Sequence, residues 1–198
     1  MTVQPVKDMN QIANMIRILE RKGNKRDPLL LKFGLNTGLR INDILRMKVK
    51  YIFNPDGTLK EYLDLFESKT IKRRNRRLKQ IKLNSVIRPE LESYVKFYGL
   101  EPEDWIFFSL RDPANPLDRI RAYTMLRDAA QKSGVTKFGT HSMRKTLAYN
   151  IYNKTKDLAL VMRILNHSDP EYTLRYIGIE QSNLDEAYEE FSIGALYL

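Results

Sequence analysis

The chain has no cysteine, two histidines and a single tryptophan among its 198 residues. Without thiols it can form neither disulfides nor thiolate metal sites, which suits a reducing, cytoplasmic compartment. No apolar run approaches the ~20 residues needed to cross a bilayer, and the opening Met-Thr-Val-Gln-Pro-Val-Lys-Asp lacks the apolar core of a signal peptide. Several catalytic signatures are missing too: there is no His-Glu-x-x-His, no Gly-x-x-x-x-Gly-Lys phosphate loop, no Gly-x-Ser-x-Gly elbow and no carboxylate cluster with metal spacing. A metal-dependent nuclease would lack its ligands.

What is abundant is positive charge. Thirty-four Lys and Arg against 24 Asp and Glu give +10, and a basic surface concentrates phosphates and gains entropy as counterions leave nucleic acid. The charge is uneven. No Lys or Arg follows Arg175, and Glu180, Asp185, Glu186, Glu189 and Glu190 make the tail −5, so the preceding residues carry +15. The stretch Lys69, Lys72, Arg73, Arg74, Arg76, Arg77, Lys79 and Lys82 contains no acid at all. A solvated hairpin tip fits such a run, but a phosphate backbone lying across it better explains eight self-repelling cations.

The hydrophobic fraction of 42% and the length favour one folded domain over 1–198, with 180–198 as a helical tail. Asp8 caps a helix bearing Ile12, Met15, Ile16 and Leu19, and a second helix runs from Asp27-Pro28 to Gly38. A third, over Asn42 to Met47, follows the Asn-Thr-Gly turn. Between Lys50 and Leu83 the period shortens, and Tyr51–Phe53, Tyr62–Phe66 and Leu78–Leu83 read as three strands of an antiparallel meander. Helices resume from Asn84 or Ser85 to Tyr98 and from Asp118 to Ser133, then from about Ser142, Asp157, Asp169 and Ser182; Trp105–Phe108 is a short strand or buried loop. Segregated strands in a mainly helical chain indicate the α+β class.

Four positions could carry chemistry. His141 and Arg144 leave one face of a helix start, where free N–H groups and the dipole favour an anion, although a capping histidine beside a surface ion pair fits the same spacing. Arg40 follows the Gly38 turn, and Asp43 lies one helical turn on, where it can orient the guanidinium. Lys69 ends a strand that could hold its ammonium rigidly. Tyr176, one of 11 tyrosines, stands nine residues after His167 in Leu165-Asn166-His167-Ser168-Asp169-Pro170, ahead of a short helix with Thr173.

Thr-Gly-Leu-Arg40, Lys69, His141-x-x-Arg144, Leu-Asn-His167 and Tyr176, in that order, closely resemble the catalytic domain of the tyrosine recombinases, or phage-type integrases, over about residues 8–191. The resemblance implies a mainly helical DNA breaking-rejoining domain whose three-stranded sheet carries the catalytic lysine, and strand cleavage through a 3′-phosphotyrosine without metal or other cofactor. It implies Tyr176 as nucleophile, Arg40 and Arg144 as clamps on the non-bridging oxygens, and His167 as a further hydrogen-bond donor. Lys69 is then the acid for the departing 5′-oxygen, His141 assists the tyrosine's proton or binds the phosphate, and Asp43 orients Arg40. Double-stranded DNA is the implied partner, with Lys72, Arg73, Arg74, Arg76 and Arg77 on its backbone. Self-association on DNA, tetrameric in the synapse, is implied as well, and Leu184, Ala187, Tyr188 and Phe191 form an apolar stripe able to dock in cis or in trans. The resemblance further implies that the family's N-terminal core-binding domain, which does not fit before residue 8, is absent, and that the setting is bacterial or phage-encoded. A non-catalytic DNA-binding module and a type IB topoisomerase-like activity are the competing functions.

Overall fold

The computed structural model describes residues 3–65, 78–179, 185 and 188–190. Two compact units emerge, 1–147 and 148–198. The first begins with α1 (Met9–Glu20), whose N-cap Asp8 accepts from the Asn10 N–H and whose Ile12, Met15 and Leu19 are buried on one face. The next helix, α2 (Arg26–Thr37), is buried nearly all round, with Leu29, Leu30, Leu31 and Phe33 at 2% exposure or less. A helix buried on nearly every side must sit inside other elements. Accordingly, α1 and α5 (Ile87–Tyr98) both pack against it, and α6 (Arg119–Lys132) packs on α1. Phe33 meets Phe107 with ring centroids 5.6 Å apart.

The start of α2 also buries a charge pair. Arg26 donates to the Phe108 carbonyl at 2.8 Å and, through Nε at 3.0 Å and Nη2 at 2.6 Å, to Asp27 Oδ1, while Asn24 donates to Asp27 Oδ2. Buried charges are tolerated when they are satisfied in this way. Tyr94 is treated similarly: burial pushes its phenol above the usual range, and the neutral hydroxyl donates to the Ile106 carbonyl at 2.7 Å.

Short α3 (Ile41–Leu45) and α4 (Val49–Ile52) lead to β1 (Tyr62–Leu65) and β2 (Lys79–Lys82), which pair antiparallel with Leu63 opposite Ile81 and Leu65 opposite Lys79. The sheet has two strands among the described residues, not three. The strand expected over Tyr51–Phe53 is instead the end of α4 and an isolated bridge from Phe53 to Leu59. Burial explains the difference, because Val49 and Ile52 are inside while Tyr51 is 46% exposed, a spacing of three rather than two. The backbone agrees: the Val49 and Lys50 N–H groups go to the Asp104 and Pro102 carbonyls, and Phe53 N–H returns to Val49. Asn84, rather than Ser85, accepts from the first N–H groups ahead of α5.

α7 (Ser142–Thr155) contains the division between the units. Unit 2 continues with α8 (Leu158–Leu165), capped by Asp157, and α9 (Pro170–Ile177), capped by Asp169. Ala148, Val161, Leu165 and Ile177 form its apolar cluster. The helix expected from Ser182 falls mostly outside the described residues, although 185 and 188–190 are helical and Tyr188 is 80% exposed. Among the described residues no helix is long and apolar enough to cross a membrane.

Phe33 is the clearest probe of the larger core. Phe33→Ala removes a fully buried ring from the helix that others pack around, so urea unfolding is expected to show a loss of about 3–5 kcal/mol.

Candidate active site

In unit 1 the site begins where α2 stops. Thr37 Oγ1 donates to the Phe33 carbonyl and accepts from the Leu39 N–H, and Gly38 takes a left-handed φ of 61° that ends the helix. A Cβ at Gly38 would also stand 2.7 Å from Leu147 Cδ2, so turn and packing both call for glycine. Leu39, Ile41 and Ile44 then anchor the chain in the core. Arg40 is left in extended backbone as the N-cap of α3, its carbonyl accepting from the Asp43 and Ile44 N–H groups. Asp43 is buried at 9% exposure in the first turn of α3, consistent with a carboxylate placed to act inside rather than on the surface.

Arg144 reaches the same turn from α7. Its side chain is among the largest fully enclosed ones, the residue being 2% exposed, and Nη1 donates to the Gly38 carbonyl at 2.7 Å. The peptide two residues before Arg40 is thereby tied to Arg144 across 106 positions of sequence. A surface ion pair for Arg144 is excluded by that burial. His141 precedes the helix, exposed, with its carbonyl accepting from the Lys145 N–H.

The start of α7 is strapped down by the N-terminal segment. Ser142 Oγ accepts from the Gly139 N–H and donates to the Gln4 carbonyl, Lys145 Nζ donates to the Val3 carbonyl at 2.8 Å, and Thr146 Oγ1 accepts from the Val6 N–H at 2.8 Å. Gln4 N–H meanwhile reaches the Lys137 carbonyl, and Val6 is buried at 2%. Ser142, Lys145 and Thr146 were not singled out from the sequence. The available signal was Ser142 and Thr146 four apart beside a lysine, polar groups on the buried side of a helix start.

Unit 2 assembles the other pair. Asn166, left-handed at φ 53°, ends α8 and turns the chain so that His167 N–H donates to the Met162 carbonyl. Asp169 accepts from the Tyr172 N–H and Pro170 occupies the first turn, opening α9 at a defined point. Half-buried His167 and Tyr176 then meet edge to face, centroids 5.0 Å apart at 89°, and Tyr172 meets the same imidazole at 4.9 Å. Tyr176 packs on the Ala148, Val161, Leu165 and Ile177 cluster, and Gly178 at φ 77° closes the helix after it. His167 Nδ1 lies 3.3 Å from the hydroxyl of fully buried Thr173.

Of the expected residues, Arg40, Asp43, His141 and Arg144 gather at two neighbouring helix starts of unit 1, and His167 with Tyr176 in unit 2. Lys69, Lys72, Arg73, Arg74, Arg76 and Arg77 lie outside the described residues. The pairing of Leu65 with Lys79 holds the two flanks of that basic stretch side by side. Among the described residues no group of three or more His, Cys, Asp or Glu side chains could hold a metal ion.

The chain belongs to the phage integrase family, whose model matches residues 5–182. This is the family of the tyrosine recombinases, metal-independent enzymes of site-specific recombination and integration, and the match covers its catalytic domain. The chain is 40% identical over 189 residues to the probable integrase/recombinase YoeC of Bacillus subtilis (strain 168), covering 96% of this chain and 97% of that one. Among solved structures, XerA recombinase aligns with a TM-score of 0.70 at 18% identity, over 97% of this chain and 65% of that one. XerH site-specific recombinase, bound to a palindromic difH substrate in a post-cleavage complex, aligns with a TM-score of 0.69 at 22% identity, over 96% of this chain and 53% of that one. The chain thus spans only part of the length of these two structures.

Gly38 is where this site can be probed without touching a charge. Gly38→Ala forces a side chain into left-handed backbone and against Leu147, so denaturant unfolding should show a loss of about 1–3 kcal/mol. Gly38→Asn tolerates that φ better but keeps the Cβ against Leu147, so it should recover only the backbone-strain share of the loss.

Proposed function

We propose that this chain cleaves and rejoins DNA strands with Tyr176 as nucleophile, the whole of 1–198 acting as one catalytic domain. The Tyr176 phenol oxygen attacks the scissile phosphorus and the bond to the 5′-oxygen breaks. A 3′-phosphotyrosine forms, and Lys69 supplies the proton that turns the departing oxygen into a hydroxyl. Arg40 and Arg144 hold the non-bridging oxygens as charge builds on them, and His167 donates a further hydrogen bond. His141 assists the proton at the tyrosine or binds the phosphate, and Asp43 keeps Arg40 oriented. The phosphotyrosine ester conserves the bond energy, so the reverse attack by a 5′-hydroxyl rejoins the strand with no cofactor.

The observation that carries this reading is the edge-to-face contact of His167 and Tyr176, which are nine residues apart and are brought together by an independently capped turn and helix. The burial of Arg144 supports it, since a preorganised cation needs no rearrangement when charge develops. Double-stranded DNA is the substrate, and Lys72, Arg73, Arg74, Arg76 and Arg77 lie along its backbone. A palindromic site mirrors a two-fold arrangement of protein, so the difH complex of XerH supports self-association of this chain on DNA as well. The tail joins in through the apolar spacing of Leu184, Ala187, Tyr188 and Phe191 in the sequence, docking in cis or in trans. A bacterial or phage-encoded protein working in the cytoplasm is part of the same reading.

A nicked suicide substrate that loses its 5′-hydroxyl strand on cleavage should trap a covalent protein–DNA adduct. Tyr176→Phe should abolish the adduct, and Arg144→Ala should slow its formation by about 10²–10³-fold. An adduct that persists in Tyr176→Phe refutes the assignment. Salt-sensitive binding with no adduct from the unaltered chain points instead to a non-catalytic DNA-binding module.

A further inference from the structure

The tautomer of His167 is set by a hydroxyl whose one hydrogen is already committed. Thr173 donates from Oγ1 to the Asp169 carbonyl at 2.7 Å, and the same oxygen stands 3.3 Å from His167 Nδ1. The shorter bond takes the hydroxyl hydrogen. At the longer contact the oxygen can then only accept, so the hydrogen between the two residues belongs to Nδ1. Thr173 is 0% exposed, so no solvent competes for its lone pairs.

We infer that Thr173 locks His167 in its Nδ1–H form, so that Nε2 can donate to a phosphate oxygen only when the ring is an imidazolium. Thr173 is therefore a positioning residue that fixes which ring nitrogen carries the hydrogen of the neutral imidazole. The tautomer rests on the hydrogen bonds alone, and its consequence for cleavage rests on the reading proposed above. A neutral imidazole has one hydrogen. With that hydrogen spent on Thr173, Nε2 presents a lone pair, which faces a phosphate oxygen unfavourably. The protonated ring presents a second N–H and adds a positive charge.

Among the described residues, titratable and charged groups near the imidazole come from α7, α8 and α9. Tyr172 and Tyr176 of α9 meet it ring to ring, and Asp169 at the start of α9 caps the Tyr172 N–H. Arg163 lies in the last turn of α8, and Tyr149 and Tyr152 of α7 belong to the apolar cluster on which Tyr176 packs. Cleavage that depends on the imidazolium is lost as pH rises through the ring's own pKa.

Side-chain ¹⁵N NMR of the DNA-free protein tests the tautomer directly, with His141→Asn used only to leave a single imidazole for assignment. At about pH 8.5, well above the ordinary pKa, the neutral His167 should carry its hydrogen on Nδ1. Thr173→Val keeps the shape but removes the acceptor and should shift the hydrogen to Nε2; Thr173→Ser should behave as the unaltered chain. In suicide-substrate assays normalised at low pH, the ratio of Thr173→Val to unaltered cleavage should rise about fifty-fold across the two pH units above the imidazole pKa. An Nε2–H tautomer in the unaltered protein, or normalised pH profiles that coincide, overturns the inference. If Thr173→Val does not fold, the spectrum of the unaltered chain still decides. If no adduct forms in any variant, the spectrum answers for the tautomer and the missing adduct counts against the proposed function.

Discussion

A guanidinium at 2% exposure needs fixed acceptors, and Arg144 finds one in the Gly38 carbonyl at 2.7 Å. Much of unit 1 bears on that bond. The carbonyl points where it does because Gly38 adopts a left-handed turn, the turn exists because α2 ends there, and α2 is held by helices on its flanks. From the other side, α7 starts in register because Ser142, Lys145 and Thr146 are pinned to the backbone of Val3, Gln4 and Val6. The same turn delivers Arg40 to the head of α3. One main-chain oxygen thereby links the two segments that carry the arginines of the proposed phosphate clamp.

Unit 2 solves a different problem, which is to hold a phenol in place on a helix of only eight residues. Such a helix is too short to be stable by itself, and its order comes from its ends and its buried face. Asp169 and Pro170 define the first turn, Gly178 the last, and Thr173 and Ile177 anchor the inner side. The imidazole of His167 is wedged between that helix and its own turn, in contact with the Tyr172 and Tyr176 rings.

Local chemistry made much of this legible from the residues alone. Asp8, Asp118, Asp157 and Asp169 cap helices where their side chains announce them, and Gly38 ends α2 with positive φ. Motif spacing likewise marked the His167–Tyr176 pair and the helix starts at Arg40 and Arg144. What escaped was non-local. The apolar run Tyr51-Ile52-Phe53 looks the same as a strand or as a helical turn until the Pro102 and Asp104 carbonyls claim its neighbouring N–H groups. The N-terminal strap joins residues about 140 positions apart, a pairing no pattern announces. The role of Thr173 depends on how one hydroxyl divides its bonds, which composition cannot carry. Lys69 and the basic stretch after it, read from the resemblance and from charge, fall outside the described residues.

The central claim is that one particular phenol forms the bond to DNA. The trapped covalent complex can be digested with protease and nuclease and the peptide carrying the nucleotide remnant sequenced by mass spectrometry. The account predicts the remnant on Tyr176. A remnant on Tyr172, which shares the imidazole at a similar distance, or on any other residue would contradict it.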